Sequence, residues 1–221
     1  MGFSKEWDER YLQNTHMSTW PWSDLVSLVM RHLRPDGRPL RILEIGCGAG
    51  ANIPFLLSLP GAEYWGIEGS PTMVEALKAR HAAAAPRLFC ADFTKQIPCP
   101  GPFDAIADRS SLTHNSTEDI KRGLHLIKEV LKPGGLYFGV DWFSMEHGDA
   151  SRGKPTEDPY TRMGYESGQM SCVGKVHFSD EKHLRDLFTG FEFLSLEHKT
   201  VDRIVGGEQR IGAWNFVVKK L

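Results

Sequence analysis

The chain has 221 residues, of which 41% are hydrophobic and 24% are charged, and this suits one α/β domain that buries a sheet between two helical layers. Its formal net charge of −2 gives no broad electrostatic reason to bind nucleic acid or an anionic membrane. No apolar run approaches the ~18 residues of a transmembrane helix, the first ten residues lack the apolar core of a signal peptide, and the four cysteines form no CxxC pair. We therefore expect a single domain, residues 1–221, in the cytoplasm with reduced thiols.

From residue 41 onward the sequence alternates between strand-like and helix-like segments. Short strands are predicted at 41–45, 63–68, 87–92, 103–108 and 136–143. Helices are predicted between them at 52–59, from 71 to about 84, and at 117–131. Ser70 and Pro71 favour the start of the second helix, and Ser116 with Asp119 resembles a capping box at the start of the third. Strands separated by helices pair in parallel through right-handed crossovers, so we expect a mostly parallel sheet with helices on both faces.

The end of the chain follows a different pattern. After a helix near 179–188, two strand-like segments at 191–201 and 210–221 are separated only by the short polar sequence DRIVGGEQ. This linker is too short for a crossover helix, so the two strands are expected to pair antiparallel as a hairpin. Residues 144–176 are rich in Gly, Ser and Pro without periodicity, which predicts a lid or substrate loop between the fifth strand and the last helix.

The sequence RILEIGCGAGANI, residues 41–53, joins the first strand to a helix through a glycine-rich turn. Gly46, Gly48 and Ala51 satisfy the spacing of a dinucleotide-binding fingerprint, but that fingerprint delivers a pyrophosphate to the helix N-terminus. Glu44 would lie almost against such an anion and repel it. A carboxylate here is better matched to a ligand with positive charges and no phosphate. S-adenosylmethionine, with its α-ammonium and sulfonium, is such a ligand.

From about residue 41 to residue 221 the chain resembles the class I S-adenosylmethionine-dependent methyltransferases. The motifs that carry the resemblance are LEIGCGAG, YWGIEGS, CADF, FDAIADRSSLTH, LKPGG and the terminal hairpin. The resemblance implies a Rossmann-like, seven-stranded sheet in the order 3-2-1-4-5-7-6. It also implies that Glu44 faces the methionine part of the cofactor, that Glu68 grips the ribose hydroxyls, and that an acid-aromatic pair holds the adenine. The implied contacts in this half of the site are Glu44, Gly46, Cys47, Gly48, Gly50, Glu68, Gly69, Asp92 and Phe93.

Residues for the chemistry of transfer are expected beyond the carboxyl ends of the fourth and fifth strands, where open α/β sheets bind ligands. Asp108 ends the fourth strand, and we expect it either to hold the methionine end of the cofactor or to act on the acceptor. A turn-forming aspartate is the structural alternative. His114 is a candidate general base because the ordinary pKa of histidine lies near working pH, although loop histidines also serve as polar contacts. Asp108 and His114 are the predicted catalytic residues.

The acceptor site is predicted from residues near these two. Arg109 either attracts an acidic substrate or forms an ion pair with Asp108 or Asp92. The sequence DRSS does not match the Asn/Asp-Pro-Pro-aromatic run of the base-modifying and amide-modifying branches of the family. Trp142 either walls the acceptor site or packs in the core. The predicted acceptor-binding residues are Arg109, Asp141, Trp142, Tyr160, Tyr165 and His177.

Residues 1–35 precede the first strand and are rich in aromatic side chains. We expect them to form a helical cover in which Tyr11 and Trp20 contact the cofactor, since aromatic rings attract a sulfonium by cation–π forces of about 0.5–2 kcal/mol. The alternative is that these rings only pack a helix onto the sheet. The histidines show no metal-ligand cluster, so no metal is predicted.

These observations predict an S-adenosylmethionine-dependent methyltransferase of a small molecule, acting by in-line displacement on oxygen or nitrogen of a metabolite or glycan precursor. No nucleic-acid or membrane partner is expected, and a homodimer is possible. The alternatives are an RNA or protein methyltransferase, a transferase that uses decarboxylated cofactor, and a protein that binds S-adenosylmethionine without turnover.

Overall fold

The computed structural model describes residues 5–13, 15, 17–34, 36–206 and 209–221. The strands in this part of the chain are β1 (Leu40–Ile45), β2 (Ala62–Glu68), β3 (Leu88–Cys90), β4 (Phe103–Arg109), β5 (Leu131–Phe143), β6 (Lys154–Pro155), β7 (Thr161–Met163), β8 (Val176–His177), β9 (Phe191–Arg203) and β10 (Gln209–Lys220). The α-helices are α1 (Lys5–Leu12), α2 (Ser23–His32), α3 (Ile53–Ser58), α4 (Pro71–Arg80), α5 (Thr117–Val130) and α6 (Glu181–Leu187). None of these helices has the length and apolar character needed to span a bilayer.

The central sheet has seven strands in the order β3-β2-β1-β4-β5-β10-β9. The first five pair in parallel, whereas β10 pairs antiparallel with both β5 and β9. When the two hairpin strands are counted as sixth and seventh, this is the predicted order 3-2-1-4-5-7-6, so the predicted fold is confirmed. The parallel order brings the carboxyl ends of β1, β2, β3 and β4 to one edge of the sheet. Open α/β sheets bind their ligands at this edge.

Local sequence signals start the helices where they were predicted. The Ser70 hydroxyl accepts a hydrogen bond from the Met73 amide at 3.1 Å and caps α4. Ser116 caps α5 in the same way through the Asp119 amide, and its hydroxyl also donates to the Asp119 carboxylate at 2.7 Å. The end of α4 was predicted less well, because the helix stops at Arg80 rather than near residue 84.

The core lies on both faces of the sheet because successive side chains of each buried strand point to opposite faces. On β5, Tyr137 belongs to the cluster covered by α5 and α6, whereas its neighbour Phe138 belongs to the cluster covered by α2 and α3. Both side chains are almost completely buried. Burying a large apolar side chain stabilises a fold by roughly 1.5–3 kcal/mol, so this two-sided core fixes the strand ends that carry the site.

Residues 144–176, predicted as a lid or substrate loop, contain strands of a small antiparallel sheet in the order β6-β7-β8, which Val176–His177 completes. The same part of the chain contributes to a separate apolar cluster that includes Phe143, Tyr165, Met170 and Phe178. The segment therefore has short strands that the sequence pattern did not indicate, and its role as a lid stays a prediction. The strands are too short for a periodic pattern, and they pair with partners that lie up to 16 residues away.

Candidate active site

A cavity of about 290 Å³ opens at the carboxyl ends of the parallel strands. Its base is formed by the glycine-rich turn after β1 and by the residues that follow β2, β3 and β4. Its cover comes from the N-terminal segment, through Trp7, Tyr11 and Trp22, and from Gln169 of the 144–176 segment. The volume is near the lower end of the range for small-molecule sites, about 300–1,000 Å³.

The turn after β1 needs glycine for both conformation and space. Gly46 and Gly48 have φ values of +61° and +52°, a region that residues with a Cβ rarely adopt. A Cβ on Gly46 would overlap the Ser111 side chain, and a Cβ on Gly48 would lie 3.2 Å from the Tyr11 hydroxyl. The turn therefore leaves backbone exposed to the cavity, with Tyr11 directly above it. Cys47 also lines the cavity, and burial raises the pKa of its thiol well above the ordinary value.

Glu44 ends β1 with its carboxylate buried beside the cavity. It accepts hydrogen bonds from the Asn52 side-chain amide at 2.8 Å and from the Tyr64 hydroxyl at 2.7 Å. Burial raises the pKa of Glu44 to about 7, although both hydrogen bonds favour the ionised form. A positively charged ligand group beside Glu44 would lower its pKa and favour the ionised carboxylate over the protonated form.

Glu68 ends β2 and is held by backbone donors. Its carboxylate accepts hydrogen bonds from the Gly48 amide at 2.9 Å and the Ser70 amide at 3.0 Å. Burial raises the pKa of Glu68, while these donors act in the opposite direction. Glu68 and Gly69 both line the cavity, on the β2 side of the glycine turn.

Asp92 and Phe93 follow β3 and line the same side of the cavity. One Asp92 oxygen accepts from the Thr94 amide at 3.0 Å and from the Thr94 hydroxyl at 2.6 Å. Burial alone would raise the pKa of Asp92, but these hydrogen bonds and the ion pair with Lys95 outweigh it and hold the pKa below its ordinary value. Glu44, Glu68 and Asp92 thus place three carboxylates on successive strand ends.

Asp108 lies beneath the cavity rather than on its surface. It is 0% exposed and is not among the described residues that line the cavity. One oxygen accepts from the Tyr137 hydroxyl and the Trp142 indole, both at 2.8 Å, and the other accepts from the Ser111 amide at 2.8 Å. Burial raises the pKa of Asp108 to about 6. These contacts indicate that Asp108 holds the turn after β4 and acts on the site through that turn, so its predicted contacts with cofactor and acceptor stay predictions.

His114 lines the cavity, as its predicted role requires. Its Nδ1 lies 3.2 Å from the Lys175 carbonyl oxygen, and its ring packs edge-on against Trp7 and Phe143. A carbonyl oxygen only accepts hydrogen bonds, so this contact assigns the proton of the neutral ring to Nδ1. The lone pair is then on Nε2.

Arg109 lines the cavity and pairs with Asp141, not with Asp108 or Asp92 as one prediction had it. Its Nε donates to Asp141 Oδ2 at 2.9 Å, and its guanidinium lies 3.6 Å from the centre of the Trp22 ring. Asp141 itself is not among the described lining residues, so its predicted contact with the acceptor is indirect, through Arg109.

Several other predicted contacts lie away from the cavity. Trp20 is 83% exposed and is not among the described lining residues, whereas Trp22 lines the cavity. Trp142 is 0% exposed and packs edge-on against Phe188, so its core alternative is the correct one. Gly50, with a φ of +82°, serves close packing, because a Cβ there would lie 2.5 Å from Leu77.

The predicted acceptor residues Tyr160, Tyr165 and His177 make contacts within residues 144–177 or with α6. Tyr165 is buried and its hydroxyl donates to the Asp149 carbonyl at 3.3 Å. Tyr160 stacks on His183 with ring centres 3.5 Å apart. His177 is completely buried against His183, and burial lowers its pKa to about 3. None of these three is among the described lining residues, which revises their predicted role to one of anchoring this segment.

Sequence reasoning missed Asn52, which connects two parts of the site. Its side-chain amide donates to Glu44, and its side-chain oxygen accepts from the Trp22 backbone amide at 3.1 Å. Asn52 directly follows the glycine turn, at the position before α3, where asparagine is common. Its position between the glycine turn and the helix was the sequence feature that could have identified Asn52 as a site residue. The link to Trp22 spans 30 residues and could not be read from the sequence.

Other lining residues that the sequence did not single out are small or polar side chains from the cover and from the turn after β4: Ser18, Ser110, Ser111, Asn115 and Gln169. Helix α1 of the N-terminal cover contacts two other parts of the chain. Asp8 of α1 hydrogen-bonds Ser70 at the start of α4, and Arg10 donates to the Ser171 carbonyl at 2.8 Å. In the described part of the chain, no group of three or more His, Cys, Asp or Glu side chains is arranged to hold a metal ion.

The sheet order, the terminal hairpin and the acid-lined cavity define a Rossmann-like methyltransferase domain. Residues 42–135 match a family model described as a methyltransferase domain. No curated protein matches the chain in sequence. Similar solved structures include an S-adenosylmethionine-dependent methyltransferase from Methanosarcina mazei, which is 16% identical with a TM-score of 0.69 over 91% of this chain and 99% of that one.

A second such methyltransferase, from Clostridium acetobutylicum, is 15% identical with a TM-score of 0.62, over 98% of this chain and 91% of that one. TehB from Haemophilus influenzae is 16% identical with a TM-score of 0.63, over 97% of this chain and 67% of that one. At these identities the likeness is one of fold. With the family match over residues 42–135, it supports an S-adenosylmethionine-dependent methyltransferase with the Rossmann-like fold of these enzymes.

A methyltransferase domain of this kind implies binding of S-adenosylmethionine, and the residues present fit that ligand. The glycine turn leaves room for close approach of a ligand to the backbone. Three carboxylates on the β1–β3 side suit a ligand with positive groups and hydroxyls, and they would repel the pyrophosphate of a dinucleotide. The cofactor contacts predicted for Tyr11, Glu44, Gly46, Cys47, Gly48, Glu68, Gly69, Asp92 and Phe93 all fall on lining residues and stay predictions.

Proposed function

We propose that the enzyme transfers a methyl group from S-adenosylmethionine to oxygen or nitrogen of a small molecule, such as a metabolite or glycan precursor. The observation that carries this proposal is the small cavity, whose lining includes Trp7 and Trp22 of the N-terminal segment and Gln169 of the 144–176 segment. A site under such a cover favours a compact acceptor over a nucleic acid or a folded protein. The chain's net charge of −2 supports the same choice.

S-adenosylmethionine supplies a methyl group that its sulfonium already activates, so the protein needs mainly to bind, orient and exclude water. We assign Glu44 to the amino-acid end of the cofactor, Glu68 to the ribose hydroxyls, and Asp92 with Phe93 to the adenine. Tyr11 packs over the turn at Gly48 and would shield the bound cofactor from water. The acceptor would then lie on the β4 side, near Arg109, His114 and Asn115.

We assign His114 as the general base for an acceptor that must lose a proton. The Lys175 carbonyl holds the proton on Nδ1, which makes Nε2 the basic atom. His114→Gln should lower kcat by about 10²–10⁴-fold, because the acceptor then loses its general base. His125→Gln is the matched control, since His125 is an exposed histidine of α5 that lies near Glu129.

The activity test uses S-adenosylmethionine with a radiolabelled methyl group and a fractionated small-molecule extract of the host. Label transferred to a low-molecular-mass compound, and lost in the Glu68→Gln variant, would support the proposal. Label found only in RNA or protein would contradict it, and binding of the cofactor without any transfer would favour a non-catalytic role. Calorimetry with S-adenosylmethionine, its decarboxylated form and NAD identifies the cofactor independently.

The proposed location is the cytoplasm. All four cysteines are unpaired, including the exposed Cys90 and Cys172. Exposed free thiols suit a reducing compartment. Fractionation of the host cell and detection of the protein in each fraction would test this, and recovery in an extracytoplasmic fraction would contradict it.

A further inference from the structure

The charges that line the cavity are separated by strand. Glu44, Glu68 and Asp92 lie at the ends of β1, β2 and β3. Arg109, at the end of β4, is the one lysine or arginine among the described residues that line the cavity. A ligand that spans the cavity therefore meets carboxylates at one end and a guanidinium at the other. The acceptor side is the cationic side.

The Arg109 guanidinium is held on one face and one edge. Its face lies on the Trp22 ring at 3.6 Å, and its Nε donates to Asp141 at 2.9 Å. Within the described residues, the bond from Nε to Asp141 is the single hydrogen bond of the guanidinium. The four N–H groups of its two Nη atoms therefore have no acceptor among the described residues. The side chain is 31% exposed and lines the cavity, so these donors are accessible to a ligand.

A purely structural ion pair elsewhere in the chain has a different geometry. Arg210 pairs with Asp202 through both Nε and Nη2, at 2.7 and 3.0 Å, which is the two-bond arrangement that arginine and carboxylate favour. Arg109 makes only the first of these two bonds with Asp141. Asp141 thus orients the Arg109 side chain through Nε and leaves the paired N–H donors of Nη1 and Nη2, the fork of the guanidinium, for another acceptor.

The backbone around this pair is held in an unusual conformation. Ser110 and Asp141 both have positive φ values, +55° and +53°, although neither is glycine. The Ser110 hydroxyl donates to the Asp141 carbonyl at 2.7 Å, and the Asp141 amide donates to the Asn215 side chain at 2.8 Å. Conformations of this kind cost of order 1–3 kcal/mol each and cluster at ligand-binding positions, where the surrounding contacts hold them in place.

We propose that Arg109 binds an anionic oxygen group of the methyl acceptor, a carboxylate or a phosphate, and that the acceptor is therefore a small acid of net negative charge. The inference rests on the proposed function and names its substrate class. The fork of Nη donors matches the spacing of two oxygens on such a group. The carboxylates on the other strands repel the same group, so they direct it to the β4 side.

The test fractionates a small-molecule extract of the host on an anion-exchange resin at neutral pH. Each fraction is then incubated with the enzyme and S-adenosylmethionine carrying a radiolabelled methyl group. The acceptor is expected in the retained fractions, and transfer to a compound in the unretained fraction would overturn the inference. Absence of transfer in every fraction would instead contradict the proposed function. Treatment of the active fraction with phosphatase distinguishes the sources, because only a phosphate acceptor would then lose its retention.

Variants of Arg109 test the residue itself. Arg109→Gln should raise the KM for the active fraction by about 10- to 100-fold, and Arg109→Lys should recover only part of this loss because an ammonium lacks the fork. Binding of S-adenosylhomocysteine, measured by calorimetry, should stay within about twofold for both variants and thereby report intact folding. Arg185→Gln is the matched control, since Arg185 also pairs with a carboxylate, that of Glu181, and lies over an aromatic ring at 5.0 Å.

Two results of the variant experiment would overturn the inference. The first is an unchanged KM for the active fraction in Arg109→Gln. The second is a loss of S-adenosylhomocysteine affinity of tenfold or more in Arg109→Gln, because Arg109 would then bind the carboxylate of the cofactor rather than an anionic group of the acceptor.

Discussion

The pH dependence of cofactor binding should report the ionisation of Glu44. Its carboxyl is buried, and its pKa is raised to about 7 by that burial. The α-ammonium of S-adenosylmethionine attracts only the ionised form. The competent fraction of the free protein therefore falls as the pH drops below 7, while the ligand's own amino group, with an ordinary pKa of about 7.7–8.0, stays protonated. Affinity should be highest between these two values.

The size of the effect follows from the fraction of Glu44 that is ionised. With a pKa of about 7, roughly three quarters of the carboxyl groups are ionised at pH 7.5 and about one in eleven at pH 6. Apparent affinity scales with this fraction and with the fraction of ligand whose amino group is protonated, about 0.7 at pH 7.5 and close to 1 at pH 6, so the Kd for S-adenosylmethionine should rise by about sixfold from pH 7.5 to pH 6. Glu44→Gln has no group to titrate at this position and should bind more weakly at pH 7.5 with a much flatter profile.

Isothermal titration calorimetry measures this directly, at several pH values and in two buffers of different ionisation enthalpy. The buffer comparison counts the protons released on binding, and we expect close to one at pH 6. Glu68 remains in the Glu44→Gln variant, so the change in profile belongs to Glu44. Equal affinity at pH 6 and pH 7.5 in the natural protein would refute the reasoning, as would the full sixfold change in Glu44→Gln.

Three further substitutions test other parts of the site. Asn52→Leu removes the amide that joins the carboxylate on β1 to the Trp22 backbone, and should weaken S-adenosylmethionine binding by about tenfold in calorimetry; unchanged affinity would contradict the assigned link. Asp108→Asn sets an amide N–H against backbone or side-chain donors in either orientation, and should destabilise the fold by about 1–3 kcal/mol. Thermal unfolding should then show a Tm lower by roughly 3–10 °C, and an unchanged Tm would count against the contacts. Gly46→Ala places a Cβ at positive φ against Ser111, and should lower cofactor affinity by more than about tenfold.

The control for the last substitution is Gly134→Ala. Gly134 also has a positive φ, +74°, but a Cβ there would meet no atom within 4 Å. The Gly134→Ala variant therefore measures the cost of alanine at positive φ alone, without the overlap with Ser111 that Gly46→Ala adds. If both variants lost cofactor affinity equally, the overlap at the cavity would not be the cause.

The sequence was sufficient for the parts of the site that depend on strand order. Glu44, Glu68 and Asp92 each follow a buried strand, and parallel strands with helical crossovers must end at the same edge of the sheet. The glycine turn is also local, because the need for positive φ lies in Gly46 and Gly48 themselves. These features require no knowledge of contacts between distant residues.

Contacts between distant segments were not accessible in the same way. Asp108 follows its strand as Glu44 does, but Tyr137 and Trp142 of β5 accommodate its carboxylate below the cavity. The choice between Trp20 and Trp22 in the cover depends on Asn52, Arg109 and their positions in the fold. Neither outcome is encoded in spacing or composition.

A crystal structure with bound S-adenosylhomocysteine tests the central claim most directly. The account predicts that the Glu68 carboxylate lies within about 3 Å of both ribose hydroxyls and that Glu44 faces the amino-acid tail beside the glycine turn. A structure in which the nucleoside occupies the cavity while Glu44 and Glu68 both point away from it would contradict the account.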